Sequence, residues 1–153
     1  MSTQVKAIPQ GYHSLTPYLI VKNAARAIDF YKEAFGAQEL FRMEAPEGKI
    51  GHCELKIGDS RLMLADEFPH MGSTAPSEAD RGFSLLLYVE NVDDIFKRAR
   101  GAGAKVIQAV KDEFWGDRMG TLEDPFGHRW NLGSHVEDVS PEEMKRRQQK
   151  MFS

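Results

Sequence analysis

His52 and Glu54 stand two residues apart in the run Ile50 to Ile57, which reads as a β-strand. Residues i and i+2 of a strand share a face, so the imidazole and the carboxylate point the same way. Such a pair can be a partly exposed hydrogen-bonding couple. It can be an acid–base or ligand-contacting couple, with the carboxylate tuning the imidazole. It can also supply two ligands of a non-standard metal site. A second concentration of chemistry is WGDRMGTLEDPFGHRWN, Trp115 to Asn131. Trp115 precedes Gly116, which lets backbone and a bound molecule approach closely. Its ring can serve as a core or interface tryptophan. Asp117 and Arg118 are read as a local ion pair that pins the loop. Further on, strand alternation puts His128, Trp130 and Leu132 on one face and Arg129 and Asn131 on the other. Arg129 can pair with an anionic ligand, with Glu54 or with Glu123. His128 and Trp130 are read as structural, and His13 and His70 as exposed loop residues.

The elements that must carry these side chains follow in order. Leu15 to Val21 is β-rich, with Pro17 marking an edge or a start. Asn23 caps a helix in which Ala24, Ala27, Ile28, Tyr31, Ala34 and Phe35 recur at helical spacing, and Gly36 stops it. Strand-like runs follow at Glu39–Met43, Ile50–Ile57 and Arg61–Asp66, broken by Pro46-Glu47-Gly48 and Gly58-Asp59-Ser60. The same order then recurs. Phe83 to Glu90 is a near-continuous apolar strand, Asn91 caps a helix bearing Val92, Ile95, Phe96, Ala99 and Ala102, and strands follow at Lys105–Val110, Arg118–Leu122 and His128–Leu132. Asp124-Pro125-Phe126-Gly127 is a turn with a mechanism: Pro fixes φ, Gly supplies a positive φ, and Asp bonds its own following backbone. Val21-Lys22-Asn23 and Val89-Glu90-Asn91 lie 68 residues apart, and the halves share their order of elements more than their identities. This is an internal β-α-β-β-β repeat. The expected boundaries are a lead-in at 1–14, a first module at 15–66, a linker at 67–82, a second module at 83–138 and a C-terminal helix at 139–153. That helix opens on a capping box, Ser140-Pro141-Glu142-Glu143, and ends in basic residues.

Composition bounds the function. Hydrophobic residues make up 41% and charged residues 28%, as in a globular protein, and the net charge of −3 argues against nucleic acid as the main partner. The single cysteine, Cys53, excludes an internal disulfide and fits a reducing cytoplasm. The N-terminus lacks the apolar core of a signal peptide, and no apolar run approaches the ~18 residues of a membrane span.

The paired modules, with the stretches TPYLIVKNAARAIDFYKEAFGA, HCELKIGDSRLMLADE and DPFGHRWNL, resemble the vicinal oxygen chelate superfamily of glyoxalases, bleomycin-resistance proteins and extradiol dioxygenases. More narrowly they are similar to its PhnB-like branch. The resemblance covers about residues 12–138. It implies an α+β fold in which two βαβββ modules form one curved mixed sheet, a cup with helices outside, plus the C-terminal helix. His52, Glu54, Tyr18, Arg129 and Asn131 would line that cup, and Trp115 would stack on a planar ligand as in bleomycin-binding relatives. Metal-dependent members carry His or Glu at four strand positions. Carried over, these fall at Thr16, Met63, Ser84 and Asn131, none a strong ligand, so no cofactor is expected. The leading expectation is a cytoplasmic, metal-independent small-molecule binder, working as a homodimer without nucleic acid or membrane. Two alternatives stand beside it. One is a metal-dependent lyase or dioxygenase whose displaced site uses His52 and Glu54. The other is a partner protein acting through its dimer surface and basic tail.

Overall fold

The structure is a computed structural model that describes residues 5–77 and 82–151. The chain falls into two compact units, Met1–Ser77 and Glu78–Ser153. Each unit contains one module, and each module has the same plan. In the first, β1 (Tyr18–Val21) leads into α1 (Ala24–Phe35), followed by β2 (Gln38–Glu44), β3 (Ile50–Ile57) and β4 (Ser60–Asp66). In the second, β5 (Leu85–Tyr88) leads into α2 (Val92–Gly101), followed by β6 (Lys105–Asp112), β7 (Asp117–Glu123) and β8 (Arg129–His135). A last helix, α3 (Pro141–Met151), ends the described chain. No helix among the described residues is long and apolar enough to cross a membrane.

Local chemistry explains the boundaries. The Asn23 side chain accepts from the Arg26 backbone N–H, and Gly36 ends α1 at a φ of 68°. The Asn91 side chain accepts from Asp94 N–H at the start of α2, where Asp93 and Asp94 favour the helix dipole. At the DPFG turn, Asp124 Oδ1 accepts from Phe126 N–H and His128 N–H, and Gly127 takes a φ of 92°. Asp124 Oδ2 also holds the Trp130 indole N–H at 2.9 Å, tying the turn to the core. Ser140 caps α3 through Glu143 N–H, while the Glu143 carboxylate is held by Arg146 and Arg147.

The strands form two separate four-stranded sheets, ordered β1-β4-β3-β2 and β5-β8-β7-β6. This corrects the expected curved cup. Each sheet is open, with its own pair of edge strands, and neither curls into half of a cup. The reason lies in the module itself. The helix crossover returns the chain to the far edge, β3 and β4 fold back toward β1, and the parallel β1–β4 and β5–β8 pairs complete each ladder. The mixed pairing stands; the continuous curved sheet does not.

Alternation sorts the faces as the strand pattern requires. Cys53, Leu55 and Ile57 are buried on the helix side of the first sheet, and Trp130 and Leu132 on that of the second. At Gly120 the Phe96 ring packs directly on β7, since an added Cβ would lie 2.5 Å from Phe96 Cε2. The near-continuous apolar strand Phe83–Glu90 proves shorter, and it is two-faced. Leu86 and Tyr88 are about half exposed on the face away from α2.

The parallel registers coincide: Tyr18 pairs with Met63, and 68 residues on Leu86 pairs with Asn131. The antiparallel neighbours, Glu54 facing Met63 and Thr121 facing Asn131, are one residue out of that step. Each module also latches its helix in the same place. Buried Asp66 accepts from Asn23 N–H, Ala24 N–H and Ile50 N–H, all within 2.9 Å. Its counterpart Ser134 accepts from Val92 N–H at 3.0 Å and donates to the Val89 carbonyl.

Candidate functional site

On the face of the first sheet away from α1, four polar groups form one chain. The Tyr12 hydroxyl donates to Glu54 Oε1, Glu54 Oε2 lies 2.9 Å from His52 Nε2, and His52 Nδ1 lies 2.9 Å from the Tyr18 hydroxyl. A carboxylate only accepts, so Nε2–H donates to Glu54, and in the neutral ring Nδ1 accepts from Tyr18. Both ring nitrogens therefore have protein partners. The hydrogen bonds from Tyr12 and His52 hold the Glu54 carboxyl below its usual range, while burial pushes the Tyr18 phenol up. Tyr12 is the member that strand reasoning missed, because it precedes the first strand. Its ring lies under the Arg61 guanidinium, 4.8 Å from the centroid, and Arg61 occupies the space where a Cβ on Gly11 would fall.

The second sheet presents a larger feature. On its face away from α2 lies a hollow of about 320 Å³, walled by Leu86, Tyr88, Trp115 and Met119 and floored in part by Thr121 and Asn131. Its edge is organised by one carboxylate. Asp117, 3% exposed, accepts from the Tyr88 hydroxyl at 2.7 Å and the Trp115 indole N–H at 3.1 Å through Oδ2, and contacts His135 Nδ1 at 2.9 Å through Oδ1. Burial pushes the Asp117 carboxyl up, and the bonds from Tyr88, His135 and Trp115 outweigh it, leaving it below the usual range. His135 Nε2 meets Asp138 at 2.7 Å, so the ring bridges two acceptors that raise its pKa. Gly133, the neighbour of Tyr88 in β8, makes room for Met119: an added Cβ there would lie 3.2 Å from Met119 Cγ.

Trp115 stands edge-on to Phe114, with centroids 5.0 Å apart. It lines a second hollow too, about 410 Å³, beneath Pro141, Met144 and Gln148 of α3. The backbone beside it is tight: Gly116 has a φ of 100°, and an added Cβ would lie 2.0 Å from the Glu137 carbonyl oxygen. Arg147 of α3 donates to the Phe114 carbonyl and forks onto Glu137, so the helix buttresses the loop from outside.

Adjacency misled at Asp117 and Arg118. They do not pair with each other. As neighbours in β7 they point to opposite faces, Asp117 to the hollow and Arg118 to Asp93 and Asp112. Arg129 lies outside the hollow, 3.9 Å from Glu123. Tyr88, Glu113 and His135 escaped sequence reasoning. Tyr88 had a signal, since it shares the strand parity of Leu86.

The four positions at which metal-dependent relatives would carry ligands hold Thr16, Met63, Ser84 and Asn131. They offer two hydroxyls, a thioether and a carboxamide, and no imidazole or carboxylate. Asn131 is already engaged at both ends: its Nδ2 donates to Ser84 Oγ at 2.8 Å, and its Oδ1 accepts from Thr121 at 2.7 Å. These residues do not fit a divalent cation. Among the described residues, no group of three or more His, Cys, Asp or Glu could hold one elsewhere.

Comparison with known proteins places this geometry. The profile of the Glyoxalase/Bleomycin resistance protein/Dioxygenase superfamily matches residues 11–132. The uncharacterized protein Rv0887c of Mycobacterium tuberculosis is 43% identical over 136 residues, 86% of this chain and 80% of that one. The crystal structure of TioX from Micromonospora sp. ML1 is similar at 27% identity and a TM-score of 0.64, over 81% of this chain and 99% of that one. The PhnB protein from Bacillus cereus, at 17% identity and a TM-score of 0.64 over 80% and 99%, shares the fold. From the repeated register, the profile match and the 43% relative together, the chain belongs to the Glyoxalase/Bleomycin resistance protein/Dioxygenase superfamily.

Proposed function

We propose that this chain is a PhnB-like small-molecule-binding protein that works without the superfamily's customary metal, as a homodimer in the cytoplasm. Its ligand is a planar molecule lying in the hollow of the second sheet, stacked on Trp115, with Asn131 at the floor. One observation carries the reading. The Trp115 indole is clamped through its N–H to a buried carboxylate while its ring walls a hollow of about 320 Å³. A ring fixed before binding loses little entropy when a ligand stacks on it. Leu86 and Met119 supply apolar surface, and the Ser84–Asn131–Thr121 chain gives a polar floor in a fixed orientation. The first sheet's Tyr12–Glu54–His52–Tyr18 chain acts as a hydrogen-bonded buttress rather than a displaced metal site, since both nitrogens of His52 have partners.

Titration with phenanthridine, a neutral three-ring probe, tests it. Binding quenches the tryptophan emission, and Trp115→Ala lowers the affinity about tenfold or more, as expected for loss of one aromatic stacking partner at about 1–3 kcal/mol. Trp130, buried on the helix side, remains in the variant as a reporter of folding. Unchanged affinity in Trp115→Ala would sink the stacking role.

A further inference from the structure

Resting on that reading of the hollow, we infer that its ligand is a planar aromatic cation and that the Glu113 carboxylate is its counter-ion. The described residues lining the hollow include two carboxylates, Glu113 and Asp117, and no Lys, Arg or His. The two differ in what they can still offer. Asp117 is occupied by Tyr88, Trp115 and His135, so its work is to hold the wall. The Glu113 backbone N–H is bonded to the Asp117 carbonyl at 2.7 Å, which fixes the residue at the mouth of the loop. Its side chain is 16% exposed, and it meets Lys111 Nζ at 3.9 Å, beyond hydrogen-bond reach, with Lys111 itself 67% exposed. A mostly buried carboxylate facing a hollow favours an incoming N–H⁺ donor and repels an anion. The Trp115 and Tyr88 rings reinforce this sign, because their π faces attract a delocalised cation. Gln108, Thr121 and Asn131 are neutral, so within the lining no cation competes for it, and the exposed Lys111 at 3.9 Å is its nearest opposite charge.

Equilibrium dialysis at low salt with three flat three-ring probes tests the assignment: cationic proflavine, neutral phenanthridine and anionic anthracene-9-carboxylate. Proflavine is expected to bind roughly tenfold tighter than phenanthridine, and the carboxylate weakest. Glu113→Gln is expected to lower proflavine affinity roughly tenfold and to leave phenanthridine binding unchanged. Glu142→Gln removes the same charge from an exposed site on α3 and is expected to change neither. Equal binding of proflavine and phenanthridine, or equal effects of the two substitutions, overturns the counter-ion assignment and leaves the stacking reading intact. Binding of none of the probes overturns both.

Discussion

Asp117 is the residue on which the second sheet's chemistry turns, and His135 is the contact through which pH reaches it. A neutral imidazole has one N–H and can donate to only one of Asp117 and Asp138, whereas the cation donates to both. Those two bonds raise the His135 pKa above its ordinary 6.5, with Asp117 the larger cause. The sign follows from linkage: the stabilisation is fully present below the unfolded pKa and is lost as pH rises through the folded one. The melting temperature of the wild type is therefore expected to fall as pH rises from about 6.5, in a window that His135→Gln flattens. Melting curves across about pH 5–9 decide it; an unaltered profile in the variant removes His135 from the account. Little of this cluster was legible beforehand. Trp115 and Asn131 announced themselves by type and parity, but Tyr88 lies 29 residues and His135 18 residues from Asp117, and only the folded register brings them together. The Asp117–Arg118 ion pair was inferred from adjacency, and strand alternation, already used for His128 and Arg129, argued against it.

At the scale of elements the sequence was far more readable, because its punctuation is local. Asn23, Gly36, Asn91 and the DPFG turn act through their own backbone neighbours, and each marks the boundary it was expected to mark. What joins elements to each other was less visible. Asp66 and Ser134 hold equivalent places, 68 residues apart, and each latches its module's helix to the last strand. The first does so with a carboxylate serving three N–H donors, the second with one hydroxyl. Asp66→Ala should therefore cost about 2–4 kcal/mol, since three N–H donors, two of them buried, lose their acceptor, and Ser134→Ala about 1 kcal/mol. Urea unfolding of both variants provides the comparison; equal losses would show that the latches are not what distinguishes the modules.

For the whole molecule, the repeat and the superfamily were legible, and the cup was not. Order of elements can be read from turns and periodicity, but whether edge strands join is a matter of backbone pairing that side-chain patterns do not encode. The metal prediction belongs at this scale, because a ligand that binds only the folded chain stabilises all of it. A cation present at a thousandfold excess over its Kd would add about 4.1 kcal/mol. With Thr16, Met63, Ser84 and Asn131 in the customary places, neither excess Mn²⁺ or Zn²⁺ nor a chelator is expected to shift the melting temperature. A clear rise with either metal would overturn the donor-set argument.

Trp115 touches two hollows, one on the sheet and one beneath α3. It is thus a partition rather than a lining, and its emission answers to traffic on both sides. Pulling on the terminal helix, by a fused tag or by a change at Arg147, would tune the reporter before any ligand arrives.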